Sequence, residues 1–466
     1  MIPVEKLNKM SLERKTELFS RGQANFPDAM KEAQAILDRL KADPEKELNF
    51  QYFAPLAFGS SSKELDARNG VCLTADDFFV TPKEIMKAQA LVGANLIRSL
   101  EKAAANIRKF HEAQLGHPIW MTESQPGLLT GRLRQPLKNV GVYIPGGEAS
   151  YPSSALMNII PARVAGVPEI LAVTPPDEHF KARPLNVVAA HLAGATHILK
   201  LGGPWAIGAL TYGSLGLPTV DKIVGPGNAF VTAAKILVSQ EIGIDSPAGP
   251  SEVFIVAETG LEWANALAWD LLAQLEHDPR AAAILATPDL TLAKAVAASV
   301  KNALTDLSRA EIVKESIKNS SIIVTKDLDE AIDLANEYAP EHLQLVAPEP
   351  FNYLTRIQNA GSVFLGPNSP VAFGDYVSGP NHVLPTGGAA RTYSGLSVDD
   401  FVKNITFQSL TQSALQALAP VAMNIAEAEG LTAHAAAVAQ RLTPIDNLAC
   451  LTAEKPIKKK GKPSQT

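Results

Sequence analysis

The chain has 466 residues, 46% hydrophobic and 19% charged, which excludes an intrinsically disordered polypeptide and provides for about two to four domains. No run of 18 or more uncharged apolar residues occurs, which excludes a membrane helix, and Met1 to Arg14 has no signal-peptide core. The formal net charge is −6; residues 451–466 carry five Lys and one Glu, so the remainder is at −10, and an acidic body argues against nucleic acid as a partner. Cys72 and Cys450 are the two cysteines, and they read as free thiols in a reducing cytoplasm.

Met30–Leu40 and Pro82–Phe110 place apolar residues at spacings of three and four and are predicted helices. Asp43–Asn69 is the least patterned stretch and is expected to contain loops. From Asn139 the pattern changes to short β-branched runs separated by Ala-rich helical segments. The predicted strands are Val140–Ile144, Ile170–Thr174, His197–Leu201, Val220–Val224, Val253–Ala257, Ala283–Thr287, Ile322–Thr325, Leu343–Val346 and Ser362–Leu365. Phe230–Ile242, Leu261–His277 and Leu328–Tyr338 are predicted helices between them. Near-continuous apolar strands alternating with helices indicate parallel sheets covered on both faces. Nine strands exceed one comfortable sheet, so two α/β units are expected, one holding strands 140–224 and the other strands 253–365. Past Ser397 no further strand is expected. Phe401–Leu418, Ala419–Ala428 and Thr432–Arg441 read as helices, too thin for a core of their own. Lys455–Lys462 is a Pro-bracketed tail expected to be disordered.

No G-x-G-x-x-G occurs. Gly225-Pro-Gly227-Asn228-Ala-Phe230 comes nearest; it either offers amides to a phosphate at a helix start or is a plain tight turn. Gly146-Gly147 and Gly202-Gly203 are turns of the same kind, and their clustering suggests a ligand crevice at strand C-terminal ends. Gln274 and His277 stand at i and i+3 on one helix face, as two metal ligands or as a capped helix end. Glu341-His342 joins a helix end to an apolar strand, as an acid/base pair or as a surface turn. Ala360–Gly395 is a Gly-rich stretch too long for a mere connector, in which Asp375 suits a metal and His382 a substrate contact or a buried donor. Glu429-Gly430-Leu-Thr-Ala-His434 lies between two helical segments and is otherwise a plain helix corner with solvated Glu and His. Gln274, His277, Asp375 and His434 together form a set of nitrogen and oxygen donors without thiolate, suited to zinc, although spacing alone does not assemble them.

These motifs, in this order, resemble histidinol dehydrogenase from about Phe110 to Arg441. They are Val140-Gly-Val-Tyr-Ile-Pro-Gly-Gly147 with Tyr151-Pro-Ser-Ser154, Val224-Gly-Pro-Gly-Asn228, Ile244 through Ser251-Glu252, Gln274-x-x-His277 and Ala339-Pro-Glu-His-Leu343. Asn359 through Gly366, Gly374-Asp-Tyr376 through Gly388, and Glu429-Gly-Leu-x-Ala-His434 complete the series. The resemblance implies an α/β fold with two Rossmann-like parallel-sheet domains that lack the usual glycine fingerprint, a helical N-terminal region and a C-terminal dimerisation arm. The expected boundaries are a helical segment over 1–29, a first α/β domain over 30–139 and 251–396, a second over 140–250, an arm over 397–450 crossing to the partner, and a tail over 451–466.

The activity implied is the cytoplasmic four-electron oxidation of L-histidinol to L-histidine through bound L-histidinal, the final step of histidine biosynthesis. It uses NAD+ and one Zn2+ per subunit in a domain-swapped homodimer with shared sites, acting on a small amino alcohol. By motif position the resemblance makes Gln274, His277 and Asp375 zinc ligands from one subunit and His434 the ligand from the other. It makes Glu341 and His342 the acid/base pair, Ser251, His382 and Glu429 substrate contacts, and Tyr143 and Asn228 NAD contacts. Substrate also meets His342 and the zinc ligands. The chain departs from the family at Trp205, where a Gln that contacts NAD is usual, and over Asn49–Asp76. Trp205 has an aromatic face to offer the cofactor but not an amide's paired donor and acceptor. These departures leave a second reading, a paralogue oxidising another alcohol such as a sulfonated diol. A sulfonate would prefer a cation where Glu429 stands, which favours histidinol. The presence of both Glu341 and His342 speaks against a catalytically silent zinc-binding dimer.

Overall fold

The computed structural model describes residues 2–21, 26–48, 51, 74–146, 150–246, 249–258, 260–304 and 307–442. Gly147, Cys72, Cys450, Lys455–Lys462 and most of Asn49–Asp76 lie outside the described residues. Two compact units are present, 1–115 with 136–402 and 116–135 with the chain from 403 onward. In chain order the larger begins with β1 (Val4–Lys6), α1 (Leu12–Ser20), α2 (Phe26–Ala42), α3 (Pro82–Val92) and α4 (Ala94–Glu112). A hairpin of β2 (Ile119–Gln125) and β3 (Leu128–Pro136) follows.

Strands and helices then alternate. The first run is β4 (Asn139–Tyr143), α5 (Pro152–Ala165), β5 (Glu169–Thr174), α6 (Pro184–Ala193), β6 (His197–Lys200), α7 (Gly203–Tyr212), β7 (Lys222–Val224), α8 (Ala229–Val238) and β8 (Gly243–Ile244). The second is β9 (Glu252–Ala257), α9 (Ala264–Leu275), β10 (Ala282–Thr287), α10 (Leu290–Ala303), α11 (Ala310–Ser316), β11 (Ser321–Val324), α12 (Leu328–Tyr338), β12 (His342–Val346), β13 (Ser362–Leu365) and α13 (Val371–Tyr376). β14 (Val402–Leu410), α14 (Gln412–Ala428) and α15 (Thr432–Gln440) complete the chain's described elements.

β4 to β8 form a five-stranded parallel sheet in the order β6-β5-β4-β7-β8. β1 joins β9 to β13 in a six-stranded parallel sheet, ordered β1-β11-β10-β9-β12-β13. Period-two alternation explains why such strands read as unbroken apolar runs. In β5, Ile170 and Ala172 enter a core with α3 to α6, while Leu171 and Val173 enter one with α2, α7 and α8. In β9, Val253 and Ile255 meet α9 and α10, while Phe254 and Val256 meet α12 and Leu18 of α1.

Three expectations are corrected here. Residues 1–29 are not helix alone: β1 pairs with β11, and this short edge strand owes its conformation to backbone pairing rather than to its own hydropathy. The helices within 30–139 pack chiefly on the five-stranded sheet, because their apolar stripes fill the two cores that flank β4 to β6; of 251–396 it is the loop after α13 that α4 meets. Strands do not stop at Ser397. Leu396 and Phe401 are buried over the five-stranded sheet, and β14 pairs in a three-stranded sheet, β14-β3-β2. Gly131 of β3 makes room for the Phe407 ring of β14, which would stand 2.5 Å from a Cβ there. Among the described residues no helix is long and apolar enough to cross a membrane.

Candidate active site

Parallel pairing of β9 with β12 sets His342 opposite Val253 and brings Ser251-Glu252 beside Glu341-His342 at the N-terminal ends of both strands. The two glutamates exchange hydrogen bonds. The N–H of Glu252 donates to Glu341 Oε2 at 2.8 Å, and the N–H of Glu341 donates to Glu252 Oε1 at 3.2 Å. The Ser251 hydroxyl donates to the same Glu341 Oε2. Burial pushes the Glu341 carboxyl above the usual carboxylate range, while the His342 imidazole and the Ser251 and Glu252 hydrogen bonds pull it back. A left-handed Ala339 (φ 54°) ends α12 and turns the chain through Pro340 into this position.

His342 is buried, and its Nδ1 lies 3.1 Å from the Glu252 carbonyl oxygen. A carbonyl only accepts, so Nδ1 carries a proton, and Nε2 is the ring nitrogen left to face the site. That Nε2 is buried without a hydrogen-bond partner, 3.8 Å from Asp375 Oδ1. A positioned imidazole with a free ring nitrogen is equipped to take a proton from a bound alcohol.

Asp375 lies in α13, where Gly374 admits the Phe364 ring within 2.6 Å of the place of a Cβ. The following loop is pinned: Asn106 donates to the Val377 carbonyl at 2.8 Å, and Asn381 to the Met157 carbonyl at 2.6 Å. It delivers a half-buried His382, whose imidazole pKa is pushed down chiefly by burial; the Asp375 charge opposes this, and His342 and His277 add to it. Gln274 is buried at the end of α9 with its Nε2 unpartnered, and His277, just beyond, is exposed. The larger unit thus gathers Ser251, Glu341, His342, Asp375 and His382, with His277 in electrostatic reach. Glu429 and His434 belong to the smaller unit, and both are exposed. Among the described residues no three His, Cys, Asp or Glu side chains form a metal site. One chain offers the His277 imidazole, the Asp375 carboxylate and the Gln274 carboxamide oxygen, a nitrogen/oxygen donor set of the kind zinc accepts.

The glycine turns of the five-stranded sheet are closed by the chain itself. A Cβ at Gly225 (φ 114°) would stand 2.2 Å from the Tyr143 carbonyl oxygen, so only glycine fits there. The Gly225 N–H donates to Asp245 at 2.8 Å, its carbonyl accepts from Lys235 at 2.9 Å, and Lys235 pairs with Asp245 in the interior. Asn228 caps α8, accepting from the N–H groups of Phe230 and Val231, both at 3.1 Å. Within Gly225–Phe230 the chain itself thus takes the N–H groups of Gly225 and Phe230, as a capped turn does. The buried Tyr143 hydroxyl accepts from the Gly203 N–H at 3.2 Å. Trp205, half-buried, donates its indole N–H to Glu47 at 2.9 Å, and Glu47 in turn holds Arg39.

Sequence reading assigned no role to Glu252, Tyr338 or Arg21. Glu252 is buried; its Oε1 lies 2.7 Å from Arg21 Nη1, and its Oε2 accepts from the Tyr338 hydroxyl at 3.2 Å. Burial pushes its pKa up to about 7. A carboxylate leading a buried strand signals that a partner is needed, but nothing local points to Arg21.

The histidinol dehydrogenase family model matches residues 56–442. The histidinol dehydrogenase of Methanosarcina barkeri is 42% identical over 441 residues, 95% of this chain and 98% of its own. That of Bacillus cereus is 49% identical over 369 residues, 78% of this chain and 84% of its own. The crystal structure of histidinol dehydrogenase from Elizabethkingia anophelis matches with a TM-score of 0.87 and 38% identity, covering 96% of this chain and 99% of that one.

Proposed function

Because this chain belongs to the histidinol dehydrogenase family, we propose that it oxidises L-histidinol to L-histidine in two NAD+-dependent steps, with L-histidinal kept in the site between them. The reading rests above all on His342, whose Nδ1–H is held by the Glu252 carbonyl while its buried Nε2 has no partner. His342 Nε2 takes the hydroxyl proton as the first hydride leaves the carbinol carbon. Glu341, held by Ser251 and Glu252 through one oxygen, takes a proton from the water that attacks the aldehyde, and the second hydride leaves the hydrate. Keeping the aldehyde enclosed prevents its loss to solvent.

Zinc would be held by Gln274, His277 and Asp375 with His434 of the partner subunit, and would supply a fixed anchor for the substrate imidazole. Ser251, His382 and Glu429 then contact substrate, with Glu429 suited to the amino group. For NAD+, strand order reverses at β4, which puts the switch point at the C-terminal ends of β4 and β7, where doubly wound sheets take dinucleotides. Tyr143 ends β4 and Asn228 follows β7, which supports their assignment, with Trp205, to the cofactor. The amides of Gly203, Phe230 and Val231 are already taken by the chain, so these three would not contact the dinucleotide. A homodimer with shared sites is supported by the smaller unit: α14 buries only Ala414 and Ala419, α15 only Ala435, and Val421, Ile425 and Leu431 stay exposed.

Absorbance at the NADH wavelength, with histidinol and NAD+, tests the reading. Two NADH per histidine formed, abolished by chelator, is the expected result. Turnover of a sulfonated diol in place of histidinol would assign the chain to the paralogue instead. For the shared site, mixing inactive His277→Ala and His434→Ala subunits should restore up to one working site per heterodimer; no recovery in a heterodimer confirmed by mass would reject it.

A further inference from the structure

The N-terminal helix sends one cation into the interior beneath Glu341. α1 ends at Ser20, and Arg21 takes the left-handed conformation (φ 53°) at its C-cap. That turn drives the guanidinium inward, where Arg21 is only 7% exposed. Its carbon sits 3.7 Å over the Tyr338 ring, one amino group donates to the Tyr338 carbonyl, and the other donates to Glu252 at 2.7 Å. Glu252 accepts in turn from the backbone N–H of Glu341 and gives its own N–H to the Glu341 carboxylate. A continuous chain of hydrogen bonds therefore runs from Arg21 through Glu252 to Glu341.

We infer that Arg21 is a positioning residue of the oxidation, holding Glu252 as the ionised acceptor that orients Glu341. This rests on the reading of Glu341 as the base. The physical reason is charge. Two glutamates share this interior with Tyr338, His342 and, further off, Asp375, and Arg21 is the cation bonded to Glu252. A buried carboxylate deprived of its cation takes up a proton. Protonated, Glu252 has one oxygen fewer to accept with, and the mutual exchange with Glu341 is weakened. Even with Arg21 present, burial raises the Glu252 pKa to about 7, so loss of the cation moves its ionisation further up.

The test compares Arg21→Met and Arg21→Lys in the full zinc-loaded chain, with kcat and KM for histidinol and NAD+ measured across pH. In Arg21→Met, kcat should fall roughly 10- to 100-fold with both KM values little changed, and the acid limb of the kcat profile should move up by about one pH unit. Arg21→Lys keeps the charge but cannot reach Glu252 and the Tyr338 carbonyl together. It should leave the limb in place and lose only a few-fold in kcat. A wild-type limb in Arg21→Met, or an equal loss at every pH that lysine does not relieve, would overturn the inference and leave Arg21 a purely structural contact. Should Arg21→Met fail to fold, unchanged kcat in Arg21→Lys would overturn it equally. Glu341→Gln run alongside separates the two layers. If that variant keeps full activity, the base assignment itself fails; if it is inactive while Arg21 variants behave as wild type, only the positioning role fails.

Discussion

The N-terminal edge of the six-stranded sheet and the C-terminal edge of the five-stranded sheet both carry conspicuous motifs, yet they treat their polar groups in opposite ways. At the first edge, His342 Nε2 and Gln274 Nε2 are buried without partners. At the second, Asn228, Lys235, Asp245 and Tyr143 bond both backbone groups of Gly225 and the N–H groups of Gly203, Phe230 and Val231. Unpaired buried polar atoms cost about 1–3 kcal/mol each, so a fold keeps them where a ligand or a reaction completes them. The contrast teaches that the first edge holds polar atoms the chain itself does not complete, while the second spends several of its polar groups on bracing its own turns.

Four substitutions and one titration can break or sharpen that contrast. The largest effect belongs to His342→Gln, which should lower kcat by about 10²–10⁴-fold with little loss of stability; a loss of stability without loss of rate would erase the distinction between the edges. His277→Ala should empty the protein of metal, read by elemental analysis, and activity should fall with the metal content; full turnover in stripped protein would remove zinc from the site. At the second edge, Lys235→Met leaves Asp245 buried without its cation, and unfolding in denaturant should show a loss of about 3–5 kcal/mol. Asn228→Ala removes a helix cap and should cost about 1 kcal/mol, with a change in KM for NAD+ rather than for histidinol. The smallest effect is a slope. Glu252 has a folded pKa of about 7, above that of the unfolded chain, so it binds its proton more tightly when folded. Its contribution is complete below the unfolded carboxylate pKa and is lost as pH rises through about 7. The melting temperature of Glu252→Gln should therefore gain on that of the wild type between about pH 5 and 7, and a constant difference would show that Glu252 does not titrate there.

Most of the architecture was legible locally. Val253–Ala257 and Ile170–Thr174 read as strands because two covered faces make every position apolar, and Leu328–Tyr338 read as a helix because one face is buried. Short edges escaped that logic. β1 and β14 are mostly exposed and depend on neighbours for their hydrogen bonds, so no hydropathy pattern marks them. Glu341, His342, Asp375 and His382 stood out as reactive residue types at element ends, and the fold brings them together.

By itself the sequence determined the alternation of strands and helices, their division between two parallel sheets, and the family to which the ordered motifs point. Those properties follow from side-chain periodicity and turn chemistry over a few residues. Tertiary structure alone decided which end of each sheet holds the reactive groups, which ring nitrogen of His342 the backbone holds, and that Arg21 reaches a carboxylate 231 positions away. Each of these depends on which groups burial has cut off from water and which partner is left within hydrogen-bond reach, and neither is set by neighbours in the chain.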